Sequence, residues 1–199
     1  MSSRLAEGLR DEAMPLGTAR LPDADELLHG RTVIAARGDD GADLALAVET
    51  VYEGYLLHYR RSRVLPQALP DDSRLLAGDY LYAHGLRMIA ADGDIGAVDM
   101  LTRLMASCSY ARVEGLSTTI DDDLWSIAVL GVAADEDAPT RRETTRAFGR
   151  IEKALEAGLP KRLGEVAASG LQAVRRVAGP AAPGTGAKEP GGTEERGGS

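Results

Sequence analysis

Three groups of residues in this chain have types and spacings that could do chemistry. Arg60, Arg61 and Arg63 close the stretch "ETVYEGYLLHYRRSR", Glu49 to Arg63. Guanidinium forks can bind a diphosphate or carboxylate bidentately. The other reading is the solvated end of a helix, where cations meet the negative end of the dipole. Tyr52, Tyr55, Tyr59, Tyr80 and Tyr82 fall on two segments expected to be neighbouring helices. Such rings suit core packing with hydroxyls at the rim, or the wall of an amphipathic pocket or partner interface. Asp121-Asp122-Asp123 and Asp71-Asp72 look at first like divalent-cation ligands. Adjacent residues fan out around a helix, however, whereas carboxylates at i, i+1 and i+4 converge. The stronger reading is a helix start, where carboxylates cap N–H groups and complement the dipole.

Other reactive groups are sparse. His29, His58 and His84 lie on different segments without the short spacing of metal ligands, so structural or surface roles are expected. Cys108 has no partner base nearby and reads as a buried, inert thiol. "GTGAK" has no strand before it and lacks the phosphate-loop spacing. There is no nucleophile elbow.

The elements that position these residues are helices. "GADLALAVETVYEGYLLHYRRSR" carries Leu44, Val48, Val51, Tyr55 and Leu56 near one face, and "LPQALP" stops it. "DDSRLLAGDYLYAHGLRMIAA" begins the next helix and "DGD" breaks it. A third runs through "IGAVDMLTRLMASCSYARVEG", with Ile95, Val98, Leu101, Leu104 and Met105 as its stripe. "DDDLWSIAVLGVAA" is almost wholly apolar after its acidic start and is expected to be central. "APTRRETTRAFGRIEKALEAG" has Pro139 at a good first-turn position, and "PKRLGEVAASGLQAVRRVAG" forms a weaker last helix. No alternating strand pattern competes, so the predicted class is all-α. The division expected is an irregular N-terminal segment with short helices (1–40), a helical domain (41–178) and a disordered Gly/Pro-rich tail (179–199).

Composition narrows the partners. A net charge of −8 disfavours a nucleic-acid partner. A lone cysteine, the absence of a signal-peptide pattern at the N-terminus and the absence of any run of about 18 apolar residues lead us to expect a soluble, cytoplasmic protein.

The order of motifs resembles the trans-polyprenyl diphosphate synthases over roughly residues 43–150. That family carries a helix patterned E-x-x-H-x-x-x-L-x-H-D-D, then "LAGDxLxxxA", then a Gly-Asp turn and a long helix ending near Glu-Gly. Glu49, Leu56 and His58 match the first pattern, with Tyr52 at its first histidine. Leu76-Ala77-Gly78-Asp79-Tyr80-Leu81 matches the second and Glu114-Gly115 the end of the third. Leu130-Gly131 and Phe148-Gly149 fall in register with the stretch after the family's Lys-Thr.

The resemblance implies an isoprenoid-synthase-like helical bundle, truncated relative to a full synthase. It also marks what is missing. The family holds Mg²⁺ on two D-D-x-x-D helices. Here Tyr59-Arg60 replaces the first pair, and Arg63 replaces the carboxylate four positions after its first member. Ile120 and Asp121 stand where a lysine is expected, and "RIEKALEAGLPKRLG" has no second Asp-Asp pair. The pattern is most similar to the small, non-catalytic component of two-component heptaprenyl diphosphate synthases. The chain is therefore expected to hold no catalytic residue, metal or cofactor of its own. It would pair with a catalytic synthase subunit that carries Mg²⁺, in isoprenoid or quinone side-chain biosynthesis. The helices holding Tyr55, Tyr59, Asp79 and Tyr80 would pack on that partner or line the channel for the growing chain, and Tyr55, Tyr59, Arg60, Arg63, Asp79 and Tyr80 are the expected substrate-binding residues. Two alternatives stay open: a degenerate fold that binds isoprenoid diphosphate through Arg60, Arg61 and Arg63, and a prenyltransferase with metal ligands relocated to Asp71/Asp72 or Asp121/Asp122. The amphipathic segment "RLGEVAASGLQAVRRVAG" would dock on its own domain by default, with a partner or a peripheral membrane contact as the other options.

Overall fold

The structure, a computed structural model, describes residues 27–65 and 69–179. The N-terminal expectation up to residue 26 and the tail from residue 180 lie outside the described residues. All regular structure among the described residues is helical, which agrees with the all-α prediction.

The element order is α1 (Gly30–Arg37), a 3₁₀ turn (Gly38–Gly41), α2 (Ala42–Tyr59), α3 (Asp71–Ala91), α4 (Ile95–Val113), α5 (Thr119–Ala133), α6 (Pro139–Glu156) and α7 (Pro160–Ala178). Two helices form the inside. On α2 every residue from Leu44 to Leu57 is buried, the pattern of a helix with neighbours on all sides. α5 buries Leu124, Trp125, Ile127, Ala128, Val129 and Val132, as its apolar run predicts. Around these two, α1 lies against α2 and α5, α3 against α2, α4 against α5, and α6 and α7 pair with each other and with α5. One continuous apolar core runs through this arrangement, and a smaller one gathers Leu46, Leu57, Val64, Leu65, Ala77 and Leu81.

α2 and α3 pack closely, and glycines on α3 allow it. A Cβ on Gly85 would lie 2.5 Å from Val51 and 2.8 Å from the Ala47 carbonyl oxygen, and one on Gly78 would lie 2.7 Å from the His58 ring. Both glycines belong to the "LAGDYLYAHGL" helix, so that motif sets how near α3 comes to α2.

Three sequence expectations need correction. α2 ends at Tyr59 rather than running on to Arg63. Arg60 is extended, and the chain beyond it folds back on α2 through side-chain hydrogen bonds described below. On α4, Ile95 is 63% exposed, and the buried stripe is Ala97, Met100, Leu101, Leu104, Cys108 and Ala111. Ile95 is the first residue after the cap Asp94, so its side chain projects past the core's end. Finally, Asp121 is not a helix cap. Thr118 holds that position, and the Asp121 side chain turns inward.

α7 buries Leu163, Ala167, Gly170, Leu171 and Val174. The apolar side of that segment is therefore docked within its own domain. Among the described residues no helix is long and apolar enough to cross a membrane.

Candidate functional site

Three charged side chains of α2 and the following turn, Glu49, Glu53 and Arg63, converge where the apolar run of α2 would otherwise be continuous. Glu49 and Glu53 are one helical turn apart and each is 1% exposed. A buried carboxylate costs several kcal/mol unless its charge and lone pairs are met. Here they are met. Glu49 Oε1 accepts from the backbone N–H groups of His29 and Gly30, both at 2.7 Å. Those amides are the start of α1, so Glu49 caps that helix and meets its positive end. Arg63 folds back over α2 to serve both acids. Its Nη1 lies 2.8 Å from Glu49 Oε2, an ion pair without good hydrogen-bond alignment. Its Nε donates to Glu53 Oε2 at 3.0 Å, and its guanidinium carbon lies 4.9 Å from the centre of the Tyr52 ring. Glu53 Oε1 also accepts from the Ser62 hydroxyl at 2.6 Å and from the Arg63 backbone N–H at 2.9 Å. With these bonds the chain after Tyr59 folds back onto α2 instead of continuing the helix.

A second network adjoins the first. Arg60 Nε donates to the Tyr55 hydroxyl at 3.0 Å, and its Nη2 reaches Asp122 Oδ1 at 2.8 Å and the Thr118 carbonyl at 2.9 Å. The Tyr55 hydroxyl donates to Asp121 Oδ2 at 2.6 Å. Asp121 is fully buried, and its other oxygen accepts from Arg112 Nη2 at 3.3 Å. Burial pushes the Asp121 carboxyl above its ordinary range, against the pull of the Tyr55 hydrogen bond and Arg112. Burial, then the Asp121 contact, pushes the Tyr55 phenol up.

His29 completes the inner wall. Its ring stacks on Trp125 at 4.9 Å and meets Tyr52 edge-on at 4.4 Å. Burial, reinforced by Arg63 and Arg60, lowers its pKa to about 3, so the ring is neutral at physiological pH. Burial also raises the Cys108 thiol, in keeping with an unreactive group.

Of the residues singled out from sequence, the structure brings Tyr55, Tyr59, Arg60 and Arg63 together around the end of α2. Tyr59 lies 5.4 Å from the Tyr55 ring. Asp79 reaches the edge of the group through His58, whose Nε2 is 3.1 Å from Asp79 Oδ1 and whose ring stacks on Tyr82. Tyr80 is elsewhere, packed against the smaller apolar core and 3.5 Å from His84 Nδ1. Glu53, Arg112 and Trp125 are not among the expected site residues, and Asp121 is expected only as a helix start or a relocated metal ligand, not as the buried partner of Tyr55 and Arg112. Two glutamates at i, i+4 inside an apolar run were the available signal, because such groups are almost never buried without a partner. Nothing local distinguishes Asp121 from Asp122.

The geometry bears on the basic-anion reading. Arg60 and Arg63 already direct their donors at internal carboxylates, a phenol and a carbonyl. A diphosphate would have to displace Glu49, Glu53 or Asp122 from them. Among the described residues no group of three or more His, Cys, Asp or Glu is placed to hold a metal ion. Compared with protein-family models, curated proteins and solved structures, the chain matches none.

Proposed function

We propose that this chain is a non-catalytic helical subunit that pairs with a catalytic trans-polyprenyl diphosphate synthase. One observation carries the reading. At the end of α2, where the resembled pattern has its first metal-holding aspartates, Arg60 and Arg63 form closed ion pairs with Glu49, Glu53 and Asp122. That part of the chain is used to build structure, which suits a subunit whose partner supplies the Mg²⁺ and the chemistry. The outward side of α3 supports the same reading. Leu75 and Leu76 are 41% and 63% exposed there, and Asp79, on the same helix, keeps its carboxylate largely in solvent. A docking surface of this kind combines apolar area with a charged rim.

The reading is tested by co-expressing the chain with a synthase that bears both acidic motifs. Co-purification as a stable complex, weakened by Leu76→Glu while the isolated variant keeps its helical spectrum, is the expected result. Separate elution of the two chains at micromolar concentration would overturn the proposal. The isolated chain is expected to turn over no allylic diphosphate with Mg²⁺ present.

A further inference from the structure

α6 and α7 pair side by side with only residues 157–159 between them, so they run antiparallel. They come close at Gly170, where an added Cβ would lie 3.2 Å from the Ala147 side chain. Counting along both helices from that contact sets Arg150 level with Val166 and Ser169, and Lys153 level with Arg162 and Glu165. These six residues line one open cleft of about 400 Å³ between the two helices. Val166 is half-buried and the other five are exposed, so their polar ends are open to solvent and to a ligand.

The charge of this cleft is not met from within. Arg150 donates from Nη2 to Glu143 Oε1 at 3.0 Å, which steadies the side chain and leaves its other guanidinium N–H groups without a partner among the described residues. The side chains of Lys153 and Arg162 form no ion pair or hydrogen bond among the described residues, and neither does Glu165, the one carboxylate of the lining. Three cations and one carboxylate leave two unbalanced positive charges, in a chain whose net charge is −8. Guanidinium forks meet phosphate oxygens bidentately, and a lysine adds a point charge. The Ser169 hydroxyl is a further donor. The volume is more than a bare phosphate fills and lies within the range of small-molecule pockets. Val166 and the aliphatic stems of the arginines supply apolar contact for the remainder of a ligand.

From the cleft, its unmatched cations and its hydroxyl together we infer that the α6–α7 cleft is a binding site for an organic phosphate. Arg150, Lys153 and Arg162 hold the phosphoryl group, and the carbon part lies over Val166. Glu165 limits the affinity, because its charge repels the same anion. The site is independent of the proposed subunit role and lies on different residues.

The test is a titration of the full chain, labelled with ¹⁵N, with phenyl phosphate and in parallel with inorganic phosphate, both at constant ionic strength. Saturable shifts confined to the cleft-lining parts of α6 and α7 are expected, with the lower Kd for phenyl phosphate. The double variant Lys153→Gln, Arg162→Gln should weaken binding at least about tenfold, and Glu165→Gln should tighten it about twofold or more. All three positions are exposed, so the spectra should stay dispersed. Arg176→Gln removes the same charge about 20 Å further along α7 and should leave Kd unchanged. Vesicles of phosphatidylcholine with and without phosphatidic acid separate the two sources of such a group. Co-sedimentation that needs phosphatidic acid and is lost in the double variant assigns the cleft to a lipid headgroup. No co-sedimentation, with phenyl phosphate still bound, assigns it to a soluble ligand. No saturable shift with phenyl phosphate at millimolar concentration, binding unchanged in the double variant, or an equal loss in Arg176→Gln would each overturn the assignment.

Discussion

Replacing Arg63 by methionine would keep an apolar stem beside Tyr52 but leave Glu49 and Glu53 buried without their counter-charge. Breaking a buried pair from one side costs about 3–5 kcal/mol, so Arg63→Met should lower the unfolding free energy by that order in urea titrations. His29 supplies a pH test at the same scale. Its folded pKa of about 3 lies below the ordinary 6.5, so the unfolded chain takes up the proton first. The associated stability is complete above about pH 6.5 and is lost as pH falls from there towards 3. Between pH 7.5 and pH 5 the chain should lose about 2 kcal/mol from this group. His29→Phe, which keeps a ring against Trp125, should flatten that slope. An unchanged slope would remove His29 as its cause. At the residue scale the sequence was legible where a side chain acts alone. Cys108 is buried and Pro139 opens its helix as expected. It was not legible where the role depends on a partner far along the chain. Asp121 is defined by Tyr55, 66 positions away, and no local pattern announces that.

Among elements, the contact of α2 with α3 is tightly constrained. Gly85→Ala places its Cβ 2.5 Å from Val51 and 2.8 Å from a carbonyl oxygen, and the backbone cannot move aside cheaply. A loss of about 1–3 kcal/mol is expected, as for an overpacked core. Gly149→Ala on α6 is the counterpart, because its Cβ would meet nothing within 4 Å. It should stabilise the chain by about 0.5–1 kcal/mol through helix propensity alone. Opposite signs in thermal melts of these two variants would support the packing described. The helices themselves were readable from apolar periodicity and from breakers such as "DGD" and "LPQALP". Their ends were less so. α2 stops at Tyr59, well before the proline downstream, and Ser62 and Arg63 turn back there to bond Glu53. The exposure of Ile95 follows from its place at the helix tip, which a periodic stripe cannot register.

The molecule as a whole has two inner helices, α2 and α5, tied together by Tyr55–Asp121 and Arg60–Asp122 and wrapped by the rest. Charge is unevenly spread: residues 139–178 carry nine Lys or Arg against four Asp or Glu, in a chain of net charge −8. With its apolar stripe docked inward, α7 offers a partner or an anionic membrane surface mainly cations, so any such contact should weaken steeply with salt. The central claim is that this bundle acts through a catalytic synthase subunit, and product analysis tests it most directly. The synthase bearing both acidic motifs is assayed for prenyl diphosphate chain length and rate, with and without an equimolar amount of this chain. The account predicts that its addition changes the rate, the product length or both, and that Leu76→Glu loses the effect. Identical products at identical rates with and without the chain would contradict it.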